Sequence, residues 1–195
     1  TVSLLPGSRL SEVTRLAGPM IESVRLLAQR RPQLQFVAAM ANDEVRREFE
    51  QAMAQANAPD IVLVDQAPRR VIAAGDSVIC ASGTATLETL LVNRPLVMTY
   101  IITAASYNMA KHLRLIKPQS FSLPNILAGE SLIPELIQHE ATPENLAKET
   151  EKWLDDAAAR EKLSERFLQI HEHLQQNASE KAAEAVSTLL DSPPK

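Results

Sequence analysis

Apolar runs of strand length alternate with segments of helical period along the first two thirds of the chain, and few architectures admit that alternation. Val2 to Leu5, Gln35 to Ala39, Ile61 to Val64, Ser77 to Cys80 and Leu96 to Tyr100 read as strands, with a weaker sixth at Phe121 to Leu123. Between them, Ser11 to Arg30 sets Leu16, Met20, Val24 and Leu27 on one helical face, and Asp43 to Ala56 does the same with Val45, Phe49 and Met53. Shorter helices are predicted at Pro68 to Ala73, Thr84 to Val92 and Ser106 to Leu115. Strands and helices in this order close through right-handed crossovers, so the expected fold is α/β, a doubly wound parallel sheet. Past Asn125 the strand pattern stops. Pro143 to Asp155, Ala157 to Gln175 and Ser179 to Leu190 read as extra C-terminal helices, the first entered through Thr142 as N-cap and Pro143 at N1. The expected organisation is a sheet domain over residues 1–140, helices packing on it over 141–190, and a tail over 191–195.

A chain of 195 residues that is 45% hydrophobic can bury one sizeable core without staples. The single cysteine, Cys80, sits inside an apolar run, so no intramolecular disulfide framework exists and a reducing, cytoplasmic setting is expected. The longest apolar runs are about five to eight residues, short of the roughly 20 that span a bilayer. A net charge of −4 argues against a nucleic-acid footprint over the whole domain, so phosphate contacts, if made, are local. The chain opens directly in a strand-like run without an initiator Met and reads as a piece of something longer.

The chain has five glycines, so their positions carry information. Gly7 follows the first strand and Gly83 the fourth, and in an open parallel sheet ligands bind at the carboxyl ends of strands. Leu5-Pro6-Gly7-Ser8-Arg9 offers close backbone approach, a hydroxyl and a planar cationic fork suited to phosphate. The same residues also read as an ordinary strand-to-helix turn with Arg9 solvated or paired to Glu12. Ser82-Gly83-Thr84 delivers free amides and the positive end of a helix dipole above the sheet, and Glu88 follows one turn later, where a carboxylate can accept from a ribose diol. The plain alternative is a helix N-cap with a Glu in its first turns. Asn125, between an apolar strand end and an apolar run, reads either as an Asx-turn residue or as a polar group hydrogen-bonded to backbone or to a ligand.

Lys111 and Arg114 share one helical face after Tyr107 and could meet a pyrophosphate or anionic headgroups, or simply be solvated. His112, His139, His171 and His173 lack ligand spacing, so no metal and no cofactor is expected. Neither a phosphate-binding Gly-x-x-x-x-Gly-Lys loop, nor a Gly-x-Gly-x-x-Gly fingerprint, nor a serine nucleophile elbow is present.

Taken in order, Leu4-Leu5-Pro6-Gly7-Ser8-Arg9, Ser82-Gly83-Thr84-Ala85-Thr86-Leu87-Glu88 and Ser122-Leu123-Pro124-Asn125-Ile126-Leu127-Ala128-Gly129, followed by Glu135-Leu136-Ile137-Gln138, resemble the C-terminal half of the bacterial lipid-A-disaccharide synthases. The resemblance implies the Rossmann-like, UDP-sugar-binding half of a two-domain (GT-B) glycosyltransferase. It further implies metal-independent, inverting transfer of 2,3-diacylglucosamine from UDP-2,3-diacylglucosamine to 2,3-diacylglucosamine 1-phosphate, with release of UDP. The acceptor site and the catalytic base would lie in an N-terminal domain absent from this chain. Residue by residue, Gly7, Ser8 and Arg9 would neutralise the departing diphosphate, with Arg9 stabilising the leaving group. The Ser82, Gly83 and Thr84 amides would cradle it, Glu88 would hold the ribose, Asn125 would support the donor side, and Glu135 and Gln138 would touch the sugar. The last helices would cross toward the missing domain, leaving an apolar surface that a second copy could cover as a homodimer. A peripheral contact with the cytoplasmic face of the inner membrane is implied too, although Ile101 to Tyr107 is less basic and aromatic than the family's usual stretch. The competing readings are a donor domain of another UDP-sugar enzyme, such as an N-acetylglucosaminyltransferase or a UDP-sugar 2-epimerase, and a non-catalytic nucleotide-binding module.

Overall fold

The computed structural model describes residues 1–103 and 120–191. Six parallel strands form one sheet: β1 (Val2–Leu5), β2 (Phe36–Met40), β3 (Ile61–Asp65), β4 (Ser77–Ala81), β5 (Leu96–Tyr100) and β6 (Glu135–Ile137), in the order β3-β2-β1-β4-β5-β6. The order reverses between β1 and β4, which pair from Val2–Ser77 to Leu5–Cys80. At that reversal the crossovers leave toward opposite faces and a crevice opens beyond the strand ends.

Helices cover both faces. α1 (Leu10–Arg30), α2 (Asp43–Gln55) and α6 (Pro143–Asp155) pack on one, around Leu16, Met20, Phe49 and the β4 residues Ile79 and Ala81. α3 (Pro68–Ala74), α4 (Thr84–Leu91), α5 (Leu123–Ala128) and α7 (Ala157–Leu174) pack on the other, around Ile72, Val78, Leu90, Met98 and Phe167. Alternate β4 residues feed the two cores, and the whole strand is buried, as a central parallel strand requires. Burial pushes the Cys80 thiol up to about 12, so it stays a neutral core group.

α6 and α7 pack on the sheet. Thr142 caps α6 by accepting from the Asn145 amide, and the Trp153 indole donates to the Leu96 carbonyl of β5 at 3.1 Å. Asp156 caps α7 through the Ala159 amide, and Leu163, Phe167 and Ile170 turn one helical stripe into the second core. α8 (Ala178–Asp191) is exposed from 178 to 188 and carries an exposed valine, Val186. Among the described residues no helix is long and apolar enough to cross a membrane.

Two sequence expectations fail at the far edge of the sheet. The strand expected at Phe121 to Leu123 is instead the entry to α5, with Ser122 as its N-cap, Pro124 in its first turn and Gly129 left-handed (φ 69°) behind its end. Short polar caps and proline at a helix start outweigh the strand propensity of two apolar residues. The strand pattern does not stop at Asn125: Glu135–Ile137 pairs with Met98, Thr99 and Tyr100. Three residues are too few to show an alternation. The helix expected at Ser106 to Leu115, with Tyr107, Lys111, His112 and Arg114, lies outside the described residues, as does most of the 191–195 tail.

Candidate functional site at the sheet reversal

Two strand-to-helix loops meet at the crevice between β1 and β4 and enclose a cleft of about 340 Å³. Gly7, Ser8, Arg9, Ser82, Gly83, Thr84 and Glu88 all line it, together with Glu12, Pro68 and the β2 end at Ala39, Met40 and Ala41. Seven of the residues singled out in the sequence therefore converge on one cavity.

Backbone conformation explains both glycines. Gly83 has φ 136° and ψ −156°, a region essentially reserved for glycine, while a Cβ there would touch nothing within 4 Å. Conformation, not crowding, demands glycine, and the loop's outer face stays open to the cleft. Gly7 has φ 115°, and a Cβ there would lie 2.6 Å from Glu12 Oε2, so this glycine also makes room for a carboxylate. That carboxylate meets Arg9, whose Nη1 stands 3.1 Å from Glu12 Oε1; Arg9 is 77% exposed and Glu12 only 12%. The pairing considered from the sequence is thus formed, and it presents the guanidinium at the mouth of the cleft.

The helix starts at the cleft differ from those elsewhere. α2, α5, α6 and α7 begin with a capping side chain, from Asn42, Ser122, Thr142 and Asp156. α1, α3 and α4 begin at Arg9, Ala67 and Gly83 with no side-chain cap hydrogen bond. Amides in the first turn of a helix need acceptors and carry the positive end of its dipole. The starts of α1 and α4, meeting at one cleft, make a site for an anion. On α4, Thr86 Oγ1 donates to the Gly83 carbonyl at 2.8 Å, which stiffens the first turn. One turn on, Glu88 turns its carboxylate to the cleft wall, 3.6 Å from Arg69 Nε.

Asn125, Glu135 and Gln138 do not line this cleft. They build a polar bracket around β6. The Asn125 carboxamide is saturated: Oδ1 accepts from the Leu132 and Ile133 amides at 2.8 and 3.0 Å, and Nδ2 donates to the Ile133 carbonyl and Glu135 Oε1 at 3.0 and 2.8 Å. Glu135 also accepts from the Phe121 and Ser122 amides and the Ser122 hydroxyl. Gln138, left-handed at φ 55°, accepts from the Ile102 amide at 3.2 Å. Asn125 is therefore a buried helix residue holding three segments together, neither the Asx-turn residue ending a strand nor a group with a spare donor. The sequence reading gave no role to Glu12 or Pro68 in the cleft, or to Arg69 beside it. A signal was available for the last, since Pro68-Arg69-Arg70 places two cations in a first helical turn, where the dipole disfavours them.

This fold and cleft can be set beside known proteins. A family model described as Lipid-A-disaccharide synthetase matches residues 1–187. The chain belongs to the lipid-A-disaccharide synthetase family. It is 44% identical to the lipid-A-disaccharide synthase of Azoarcus sp. and 41% identical to that of Mannheimia succiniciproducens, over 98% and 97% of its own length. Each alignment takes in 49% of the relative, so the chain spans about half the length of the synthases it matches. Among solved structures, E. coli ADP-heptose lps heptosyltransferase II matches with a TM-score of 0.52 and 13% identity over 78% of this chain and 46% of its own. S. aureus TarM, solved with UDP among its ligands, matches with a TM-score of 0.54 and 11% identity over 98% of this chain and 35% of its own. At such identities the likeness is one of fold, the Rossmann-like half of a GT-B architecture.

Proposed function

We propose that the cleft between β1 and β4 is the UDP-sugar site of the donor-binding half of a lipid-A-disaccharide synthase. The observation that carries this reading is the convergence of uncapped helix starts, Arg9 and Glu88 on one cleft at the sheet reversal. In this reading the diphosphate lies across the starts of α1 and α4, with the Gly7, Ser8, Ser82, Gly83 and Thr84 backbone around it and Arg9 over it. Glu88 accepts from the ribose hydroxyls. The donor is UDP-2,3-diacylglucosamine and the acceptor 2,3-diacylglucosamine 1-phosphate, bound by the half of the enzyme that this chain does not contain.

In the reaction, the bond from the sugar C1 to the UDP oxygen breaks with its electron pair leaving on UDP. A bond from C1 to the acceptor 6-oxygen forms on the opposite face, and the hydroxyl proton passes to a base in the other half. Charge builds on the departing diphosphate, where fixed amides and Arg9 stabilise it without reorganising. Asn125, Glu135 and Gln138 serve the donor side indirectly, by tying α5, which packs on α4, to β6 at the sheet edge. The exposed face of α8 seats against the other half, and the assembled enzyme touches the cytoplasmic face of the membrane peripherally.

Displacement of a fluorescent UDP analogue separates this reading from other UDP-sugar enzymes. UDP-2,3-diacylglucosamine is expected to displace the analogue at a concentration at least about tenfold below that needed with UDP-N-acetylglucosamine, because its acyl chains add apolar burial. Equal displacement by the two contradicts the lipid donor.

A further inference from the structure

A second arginine stands just outside the cleft lining, paired to the lining residue Glu88, and the proposed nucleotide site gives it no task. Arg69 stands in the first turn of α3, one residue after Pro68, which lines the cleft. Its Nε is 3.6 Å from Glu88 Oε2, and its side chain is 79% exposed. We infer that Arg69 is a second anion-binding arm of the donor cleft, resting on Glu88 before binding and turning onto the diphosphate of a nucleoside diphosphate when the ribose hydroxyls take over Glu88. The inference rests on the nucleotide reading above and adds a residue that it does not contain.

Local structure gives no reason for a cation here. The first turn of α3 holds Arg69 and Arg70 and no acidic residue, so both cations oppose the helix dipole. α1, α2 and α6 follow the opposite and favourable rule, with Glu12, Asp43 and Glu144 in their first turns. An anion brought to the cleft turns this arrangement from a cost into a gain, since it meets the guanidiniums that the dipole disfavours. The pair with Glu88 is exposed and long, and such pairs contribute little, so leaving it is cheap.

Charge balance points the same way. Arg9 is matched by Glu12 and Arg69 by Glu88, so the free cleft wall is close to neutral. A diphosphate adds two or more negative charges beside the Glu88 side chain that accepts from ribose. One guanidinium cannot offset that, and Arg69, already resting on Glu88, supplies a second.

The test compares UDP with uridine, followed by backbone amide NMR shifts, which suit weak ligands. Arg69→Ala is expected to weaken UDP about tenfold and leave uridine unweakened, or slightly tighter because Glu88 has lost a competitor. The same loss of UDP affinity is expected when Arg69→Ala is made in a Glu88→Gln background, because the arm acts on phosphate directly. Arg70→Ala, which removes an equal charge from the same turn, is expected to change UDP affinity by less than about threefold. Equal weakening of UDP and uridine, or no effect of Arg69→Ala in the Glu88→Gln background, overturns the arm and leaves Arg69 only orienting Glu88. UDP binding that is weakened by Glu88→Ala but indifferent to Arg69→Ala overturns the arm while the donor reading stands. Absence of UDP binding to the unsubstituted chain removes the donor reading and the arm together.

Discussion

Asn125→Leu is expected to lower the free energy of unfolding by about 3–5 kcal/mol, because it leaves the backbone groups of Leu132 and Ile133 without partners. The side chain is almost wholly enclosed and spends all four of its hydrogen-bonding positions inside the protein, on Leu132, Ile133 and Glu135. Leucine has the same size and none of these groups. The Leu132 and Ile133 amides and the Ile133 carbonyl would then face an apolar side chain, each at a cost of about 1–3 kcal/mol. Local rearrangement and water recover part of that sum. The bracket also sets the start of β6, so loss of structure should spread to the β5–β6 edge before the β1–β4 centre. Urea unfolding with native-state hydrogen exchange reads both quantities. A loss below about 1 kcal/mol, coupled to a collapse of nucleotide affinity, would instead make Asn125 a ligand group.

Phe167→Ala is expected to cost about 3–5 kcal/mol, the usual range for truncating a fully buried aromatic. Phe167 is 1% exposed and sits between Leu163 and Ile170 on the stripe by which α7 enters the second core. The ring fills the space between α7 and the face of the sheet that also carries α3 and α4. For a domain of this size the loss corresponds to a fall in Tm of roughly 10 °C. A single cooperative transition at the lower temperature would show that α7 is part of the same folding unit as the sheet. A fall under about 1 kcal/mol would mean that α7 docks only weakly and that the C-terminal helices draw their stability from elsewhere.

The parts of the fold that were legible in the sequence are those with strong local signals. Five strands fall within a residue of their expected limits because parallel central strands are continuous apolar runs, and α6 begins at Pro143 because Thr142 and Pro143 together specify a helix start. β6 was not legible: its three residues are held by pairing to β5 and by the Glu135 bracket, both tertiary effects without periodicity. The start of α5 was misread although its signals, Ser122, Pro124 and Gly129, were present, because Phe121 and Leu123 suggested a strand.

The candidate site divides in the same way. Gly7 and Gly83 could be placed from the sequence, since each follows a strand at its carboxyl end, and the cleft joins them only because β1 and β4 are neighbours. That adjacency follows from the doubly wound topology, so Arg9 and Glu88, 79 positions apart in the sequence, share one wall. Glu135 and Gln138 show the converse. The family resemblance implies sugar contacts for them, and their side chains bond to Ser122, Asn125 and Ile102, which only the tertiary structure reveals.

The most direct test of the account is titration of this chain with UDP, with and without EDTA, followed by backbone amide shifts and calorimetry and repeated on Arg9→Ala and Glu88→Ala. The account predicts millimolar binding, roughly 4 kcal/mol, that is unchanged by EDTA, moves the amides of Gly7, Ser8, Gly83 and Thr84, and weakens at least about fivefold in each variant. Absence of binding, or binding that both substitutions leave untouched, would contradict a UDP site at the sheet reversal.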